Sequence, residues 1–424
     1  MKVQIAERSL KVLVLDEEIP YPPDAGKRIR TWNLLKRLAE RHEIHLLCYG
    51  RKEESTWSAL RAAGIALHLV EPPPKLVGSA LYLRLLGNLF SPYPFSVAKH
   101  YSRRFQQALD GLLAGGDWDL LQCEWTPYAQ FISSPLTTPT LIATHNIESQ
   151  IWNRRAKHSA SLVEKCFFGL QGLKMAWFER RALLRATAVT AVTADDAQQM
   201  HEWGVRAVTI VPNGVDPEFY LGEGDIEDDN EILSVASLDW FPNADALDYF
   251  SSEIFPLVRQ KLPNAVLRVV GRRPPEALKK RLSAIPGIEF VGEVTDVRPY
   301  IDRASVIVVP LRIGGGSRLK ILEALAAGKA VVSTSIGAEG LGLKPEKHLL
   351  IADSSTEFAR RVVEVLTSKE TRKRLGQGGR EIVCDQFGWN GIATRLEGAW
   401  RDLLHSPRSR ELTGSHRQEV QATP

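Results

Sequence analysis

Apolar residues fall into two kinds of stretch along this chain, and the two alternate almost from end to end. Short runs rich in Val, Ile and Leu recur, as expected of strands buried on both faces. Between them lie longer stretches whose apolar residues return every three or four positions, as on one face of a helix. In the first half the runs cover residues 11–15, 44–48, 66–70, 120–123, 141–144, 189–193 and 208–211. Residues 27–41 read as a helix with Ile29, Trp32, Leu35 and Leu38 on one face. A second series of runs covers 232–236, 265–270, 288–291, 306–309, 330–333 and 349–351. Strands separated by helices predict parallel, doubly wound sheets, hence an α/β protein.

The two series are divided by TIVPNGVDPEFY, with Pro212, Gly214 and Pro217, and the acidic GEGDIEDDNE that follows. This marks a linker over 209–230. The expected organisation is a first domain over 1–211, a second over 212–388, a last helix over 389–405, and a polar, disordered tail over 406–424. A length of 424 residues suits two domains, since single cores stop growing at roughly 250–300 residues. The 44% hydrophobic and 25% charged content is that of an ordinary globular protein. A net charge of +4 fits an anionic small ligand or an acidic membrane surface and is too small to argue for nucleic acid.

Four widely spaced cysteines, Cys48, Cys123, Cys166 and Cys384, lack metal-ligand spacing and point to free thiols. Charges interrupt the apolar run at the N-terminus, and no uncharged apolar stretch of ~18 residues follows. The expected location is the cytoplasm.

Chemistry concentrates in residues 310–341, PLRIGGGSRLKILEALAAGKAVVSTSIGAEGL. A strand end runs into Gly314, Gly315 and Gly316, whose backbone N–H groups can approach an anion closely. Ser317 is placed to cap a helix starting at Arg318, whose open N–H groups favour negative charge. Arg318 and Lys320 add two cations, and Glu323 lies within reach of sugar hydroxyls on a bound nucleotide. The plainer alternative is a glycine turn before a core helix buried through Leu319, Leu322, Leu325 and Ala326. Three glycines followed by Ser, Arg and Lys favour the diphosphate site with a carboxylate for a ribose.

In doubly wound sheets ligands bind beyond the carboxyl ends of the strands, and further candidates stand there. Gly26 closes the loop DEEIPYPPDAGKR and is either a ligand-loop or a turn glycine. Glu124 follows the strand over 120–123 and either serves a site or caps the next helix. His145, in THNIES, sits at a strand end beside Asn146 and near Glu148, and for it the functional reading is favoured. Gly271, in VVGRRPP, marks a close approach of backbone to a ligand or a helix. The GxGxxG and Walker patterns are missing, which counts against a nicotinamide or flavin dehydrogenase and a P-loop enzyme. Two stretches, 76–113 and 166–185, mix aromatics, leucines and bases. They suit either an anionic membrane surface or packing on their own domain, and packing is the expected outcome.

Taken together, PNGVD, VVG, FVGEVTD and the 310–341 segment resemble the second domain of the family 4 (group 1) retaining glycosyltransferases of the GT-B fold. PYPPDAGKRIR and THNIES look like the first domain of a bacterial exopolysaccharide-type subgroup. The resemblance implies two facing Rossmann-like domains, with the last helix crossing back to the first. It implies a nucleoside-diphosphate sugar donor held mainly by the second domain, and a saccharide or lipid-linked acceptor held mainly by the first, with Glu124, Asn146 and Glu148 on the acceptor side. It also implies no cofactor, no metal, and room for a peripheral contact with the inner membrane. By the family pattern, Arg318 and Lys320 hold the diphosphate and Glu323 the ribose. His145 stands near the transferred sugar and Gly26 beside the phosphates. Gly315 replaces the first glutamate of the family's paired-glutamate motif, so the sugar is not readable there. SLDWFPNADAL lacks the Arg and Lys that many members carry after the first strand of the second domain. The alternatives are a sugar-nucleotide epimerase and a catalytically silent sugar-nucleotide-binding subunit.

Overall fold

The computed structural model describes residues 8–74, 77–132, 138–159, 161–222, 228–313, 319–407 and 409. By packing, the described residues form two compact units, one from those of Met1–Val211 and Ile392–Pro424, the other from those of Pro212–Gly391.

The first unit is built on seven parallel strands: β1 Lys11–Glu18, β2 Glu43–Tyr49, β3 Ile65–Val70, β4 Leu120–Cys123, β5 Thr140–Ala143, β6 Ala188–Ala191 and β7 Val208–Ile210. Their order is β3-β2-β1-β4-β5-β6-β7. Parallel neighbours need helical crossovers, and these cover both faces of the sheet. Val12, Leu13, Val14 and Leu15 are accordingly all inaccessible to solvent. The winding reverses between β1 and β4, so the loops after these strands diverge and leave a crevice for a ligand. Strand alternation sends Leu121 and Cys123 into one core layer and Gln122 to the other face. There the Gln122 amide oxygen accepts the indole N–H of Trp400 at 2.6 Å. Trp400 is fully buried on the helix Trp389–His405, which Arg41 also ties down through Glu397 at 2.6 Å.

The second unit repeats the plan with β8 Asp228–Ser237, β9 Val266–Arg272, β10 Ile288–Gly292, β11 Ala304–Val309, β12 Val331–Ser333 and β13 Leu350–Ile351, ordered β10-β9-β8-β11-β12-β13. Along β11, Val306 and Val308 enter one hydrophobic core while Ile307 and Val309 enter the core on the opposite face. The switch of direction falls between β8 and β11.

The two aromatic and basic stretches pack on their own domain only in part, through Val97, Phe105, Leu109, Met175, Phe178 and Leu183. In the helix Gly78–Asn88 only Asn88 is buried, and in the helix Leu162–Arg185 the inward face is narrow, with Gln171, Met175, Phe178, Glu179 and Leu183 among its buried residues. Large apolar side chains on both helices stand in solvent. A stripe of apolar residues in sequence shows that a helix is amphipathic without showing what covers the stripe. Among the described residues no helix is long and apolar enough to cross a membrane.

Candidate functional site

Candidate groups of the first unit gather at the carboxyl ends of β1, β4 and β5. Gly26 is the first residue of the helix Gly26–Leu38, whose N-cap, Ala25, offers no side-chain acceptor to the first-turn N–H groups. A helix start of this kind suits an anion. Lys27 is less available than its sequence position suggests. Its ammonium lies 2.5 Å from Asp16 and 3.1 Å from Glu17, over the Trp125 ring. Burial opposes its charge, but the two carboxylates more than offset that and hold it protonated.

Glu124, 1% exposed, does not cap the short helix that follows it. Its Oε1 accepts from the Gln122 amide at 2.5 Å and its Oε2 pairs with His145 Nε2 at 3.0 Å. Burial favours the neutral acid, yet the bond to His145 and the nearby charges of Arg30 and Lys27 hold its carboxyl below the ordinary range. Burial in turn depresses the His145 imidazole, against the pull of Glu124. The consistent state at neutral pH is an ionised Glu124 accepting Nε2–H from a neutral ring. His145 Nδ1 then carries a lone pair that can accept a hydroxyl hydrogen. Arg30, fully buried, donates to the Val211 carbonyl at 2.8 Å, and burial pulls its guanidinium down to about 10.

Loop 144–148 is fixed from below. Glu148 accepts the Trp125 indole N–H at 2.8 Å and a hydrogen bond from Asn146, and its burial raises its carboxyl. Glu148 thus bonds to both Asn146 and Trp125, shaping the loop beside His145. The helix Glu148–His158 has no side-chain cap of its own. Glu179, from the helix Leu162–Arg185, supplies one by accepting the backbone N–H of Glu148 at 2.6 Å and of Ser149 at 3.0 Å. Burial pushes the Glu179 carboxyl up to about 8. Neither Glu179 nor Gln122 stands out in the sequence. Each is a polar residue within an apolar pattern, and that was the available signal.

In the second unit, Lys320 and Glu323 stand three positions apart on the helix Leu319–Ala326, anchored through buried Ile321, Leu322 and Leu325. Lys320 Nζ donates to Asn243 Oδ1 at 2.8 Å, and Asn243 in turn donates to the Ser237 carbonyl at 2.8 Å. Burial raises the Glu323 carboxyl, while a hydrogen bond from the Tyr220 hydroxyl and the charge of Lys320 oppose the rise. Tyr220 comes from the linker segment and is held well above its usual value by burial and by Glu323, so it is a donor here. Gly314, Gly315, Gly316, Ser317 and Arg318 lie outside the described residues.

Gly271 lies against the neighbouring strand β8, a packing reason for the glycine beside the ligand or helix that its sequence context suggests. A Cβ there would sit 2.3 Å from the Ala236 carbonyl oxygen, so the neighbouring strand β8 accounts for the glycine. The missing bases after β8 have a counterpart next door. Ser237 of β8 is paired in register with Arg272 of β9, whose Nε donates to Ser237 Oγ at 2.7 Å. Arg273 follows, 3.6 Å from Asp239. The base is invisible from the β8 loop alone, because only the register of the parallel pair sets Arg272 beside Ser237.

Two doubly wound parallel sheets with switch-point sites of this kind are the architecture of GT-B glycosyltransferases. Residues 25–214 match the family described as glycosyl transferase 4-like domain, and residues 229–368 match glycosyl transferases group 1. The chain therefore belongs to the family 4 (group 1) glycosyltransferases. It is 23% identical over 400 residues to an uncharacterized 44.6 kDa protein in the cps region of Klebsiella pneumoniae, covering 89% of this chain and 96% of that one. Among solved structures, a sucrose-phosphate synthase from Thermosynechococcus elongatus matches with a TM-score of 0.71 at 16% identity, over 94% of this chain and all of that one. The Anabaena protein HepE, in complex with UDP-glucose, matches with a TM-score of 0.66 at 14% identity, over 93% of this chain and 100% of that one.

Proposed function

We propose that this glycosyltransferase moves a sugar, with retention of anomeric configuration, from a nucleoside-diphosphate sugar to a hydroxyl on a saccharide or lipid-linked intermediate of surface-polysaccharide synthesis. The observation that carries the reading is the pairing of Lys320 with Glu323 on one helix face, the carboxylate oriented by Tyr220. That face offers a cation for a diphosphate and, one turn on, a half-buried acceptor for ribose hydroxyls. Arg318 joins Lys320 by the family pattern. Arg272 and Arg273, at the end of β9, add positive charge where the β8 loop has none. His145 is assigned to the transferred sugar, whose hydroxyl hydrogen its Nδ1 accepts. The setting in surface-polysaccharide synthesis is supported by the relative in the Klebsiella cps region, and the nucleoside-diphosphate donor by the UDP-glucose bound to HepE.

The bond between the anomeric carbon and the diphosphate oxygen breaks while the acceptor oxygen attacks from the same face. The acceptor's proton passes to the departing phosphate oxygen, so no protein base is consumed. Charge grows on the diphosphate in the transition state, and fixed cations aimed at it lower the barrier. The cations just named and a helix start serve this purpose without requiring a metal ion.

A thermal-shift panel of UDP, GDP, ADP and TDP tests the reading. A diphosphate at a hundred times its dissociation constant adds ~2.7 kcal/mol of stability. One of the four should raise the midpoint of the wild type and fail to do so in Lys320→Ala and Glu323→Gln. No shift with any of them would overturn the assignment of the second unit.

A further inference from the structure

Glu124 and His145 stand at one end of a longer hydrogen-bonded relay whose other members the proposed transfer does not use. It begins at Trp400, fully buried on the helix Trp389–His405. The Trp400 indole N–H donates to Gln122 Oε1 at 2.6 Å, the Gln122 amide donates to Glu124 Oε1 at 2.5 Å, and Glu124 Oε2 pairs with His145 Nε2 at 3.0 Å. An indole nitrogen can only donate, so Trp400 sets the sense of each later bond. The Gln122 oxygen must face the indole, its NH2 must then face Glu124, and an ionised carboxylate accepts that bond best. Trp400 is itself held in place. Its ring meets His42 nearly edge-on, with centroids 5.5 Å apart. Glu397, one turn earlier on the same helix, accepts from Arg41 at 2.6 Å and from Arg401 at 2.8 Å, and lies 3.1 Å from His42.

Stability does not account for these polar groups. Leu121 and Cys123 flank Gln122 on β4, and a leucine facing a phenylalanine across the same gap would leave no polar atom unpaired. Replacing both partners of a buried hydrogen bond by apolar groups of similar shape is close to neutral. An apolar pair could not, however, present a donor to Glu124. That carboxyl is 1% exposed, burial opposes its charge, and Asp16 at the end of β1 is close enough for the two acids to repel.

We propose that Trp400 and Gln122 are positioning residues of the transfer, holding Glu124 as an oriented acceptor so that His145 keeps its proton on Nε2 and offers Nδ1 to the sugar hydroxyl. The proposal rests on the reading that places His145 at the transferred sugar. Gln122→Leu, Trp400→Phe and the double variant test it in steady-state transfer. Each single variant strands a buried polar partner and should melt below the wild type, whereas the double variant should melt close to it. Activity should not follow stability. Losing a donor to a charged carboxylate raises its titration by about one unit, so the acid limb of kcat should move up by about one unit in Gln122→Leu and in the double variant, with KM for the donor unchanged. Lys27, Arg30, Asp16 and His145, the other ionisable groups facing Glu124, are the same in both. Leu403→Ala, buried on the same helix but outside the relay, should lower the melt and leave the acid limb in place. A double variant with the wild-type acid limb, or an equal shift in Leu403→Ala, would overturn the proposal. His145→Ala separates the two levels of failure. Unchanged transfer there would overturn the sugar-site reading, and this proposal with it, while lost transfer there beside a wild-type double variant would overturn this proposal alone.

Discussion

Replacing Glu124 by glutamine changes one atom's identity and should reverse the hydrogen-bonding sense of His145. Trp400 donates to the Gln122 oxygen, which forces the Gln122 amide N–H toward Glu124 Oε1. In Glu124→Gln the new amide must keep its oxygen on that side, so its NH2 faces His145 Nε2. The neutral ring answers by moving its proton to Nδ1, and the acceptor proposed for the sugar hydroxyl becomes a donor. The field of a buried carboxylate is lost as well. A hydrogen bond to a charged group contributes about 1.5–3 kcal/mol, which converts to a fall in kcat of about ten- to 150-fold. Steady-state transfer at saturating donor reads that fall. Nitrogen chemical shifts of the labelled His145 ring read the tautomer, and diphosphate binding should be unaltered. Folded protein with kcat within about twofold of wild type, or a ring still protonated at Nε2, would refute the reasoning.

Three further outcomes follow from the geometry. Lys320→Ala should lower kcat about a hundredfold or more, since removing one donor aimed at developing charge costs ~3–4 kcal/mol elsewhere, and Lys320→Arg should recover part of it; unchanged kcat with raised KM would show that Lys320 binds ground state and transition state equally. Glu179 binds its proton more tightly folded than unfolded, so its contribution to stability is full below the ordinary 4.5 and declines as pH rises toward about 8. Glu179→Gln should flatten the wild type's loss of stability across that window in urea titrations, and an unchanged slope would show that other groups set it. Gly271→Ala should destabilise by about 1–3 kcal/mol by forcing β9 from the Ala236 carbonyl. A melt equal to wild type would show that β8 has room to yield.

Much of the architecture is legible in the sequence because parallel strands are buried on both faces, so each reads as an unbroken apolar run. The ends of these runs also locate Glu124 and His145, but not their pairing, which needs β4 and β5 to be neighbours. Long-range partners leave no local signal: Trp400 and Gln122 are 278 positions apart. Tyr220 looked like part of a linker because its apolar ring is surrounded in sequence by Pro, Gly and acids. Arg272 needed the strand register. The helix Gly78–Asn88 failed as a core element for a simpler reason, since sequence periodicity gives a stripe and the fold decides whether protein covers it.

The central claim is transfer, and it is tested most directly by incubating the full chain with labelled nucleoside-diphosphate sugars and a lipid-linked saccharide fraction, measuring released diphosphate and glycosylated product together. The account predicts that one donor yields diphosphate and product in equal amounts, with both lost in Lys320→Ala. Saturable donor binding by calorimetry, with neither transfer nor hydrolysis across a broad acceptor panel, would contradict it and assign the chain to a silent binding role.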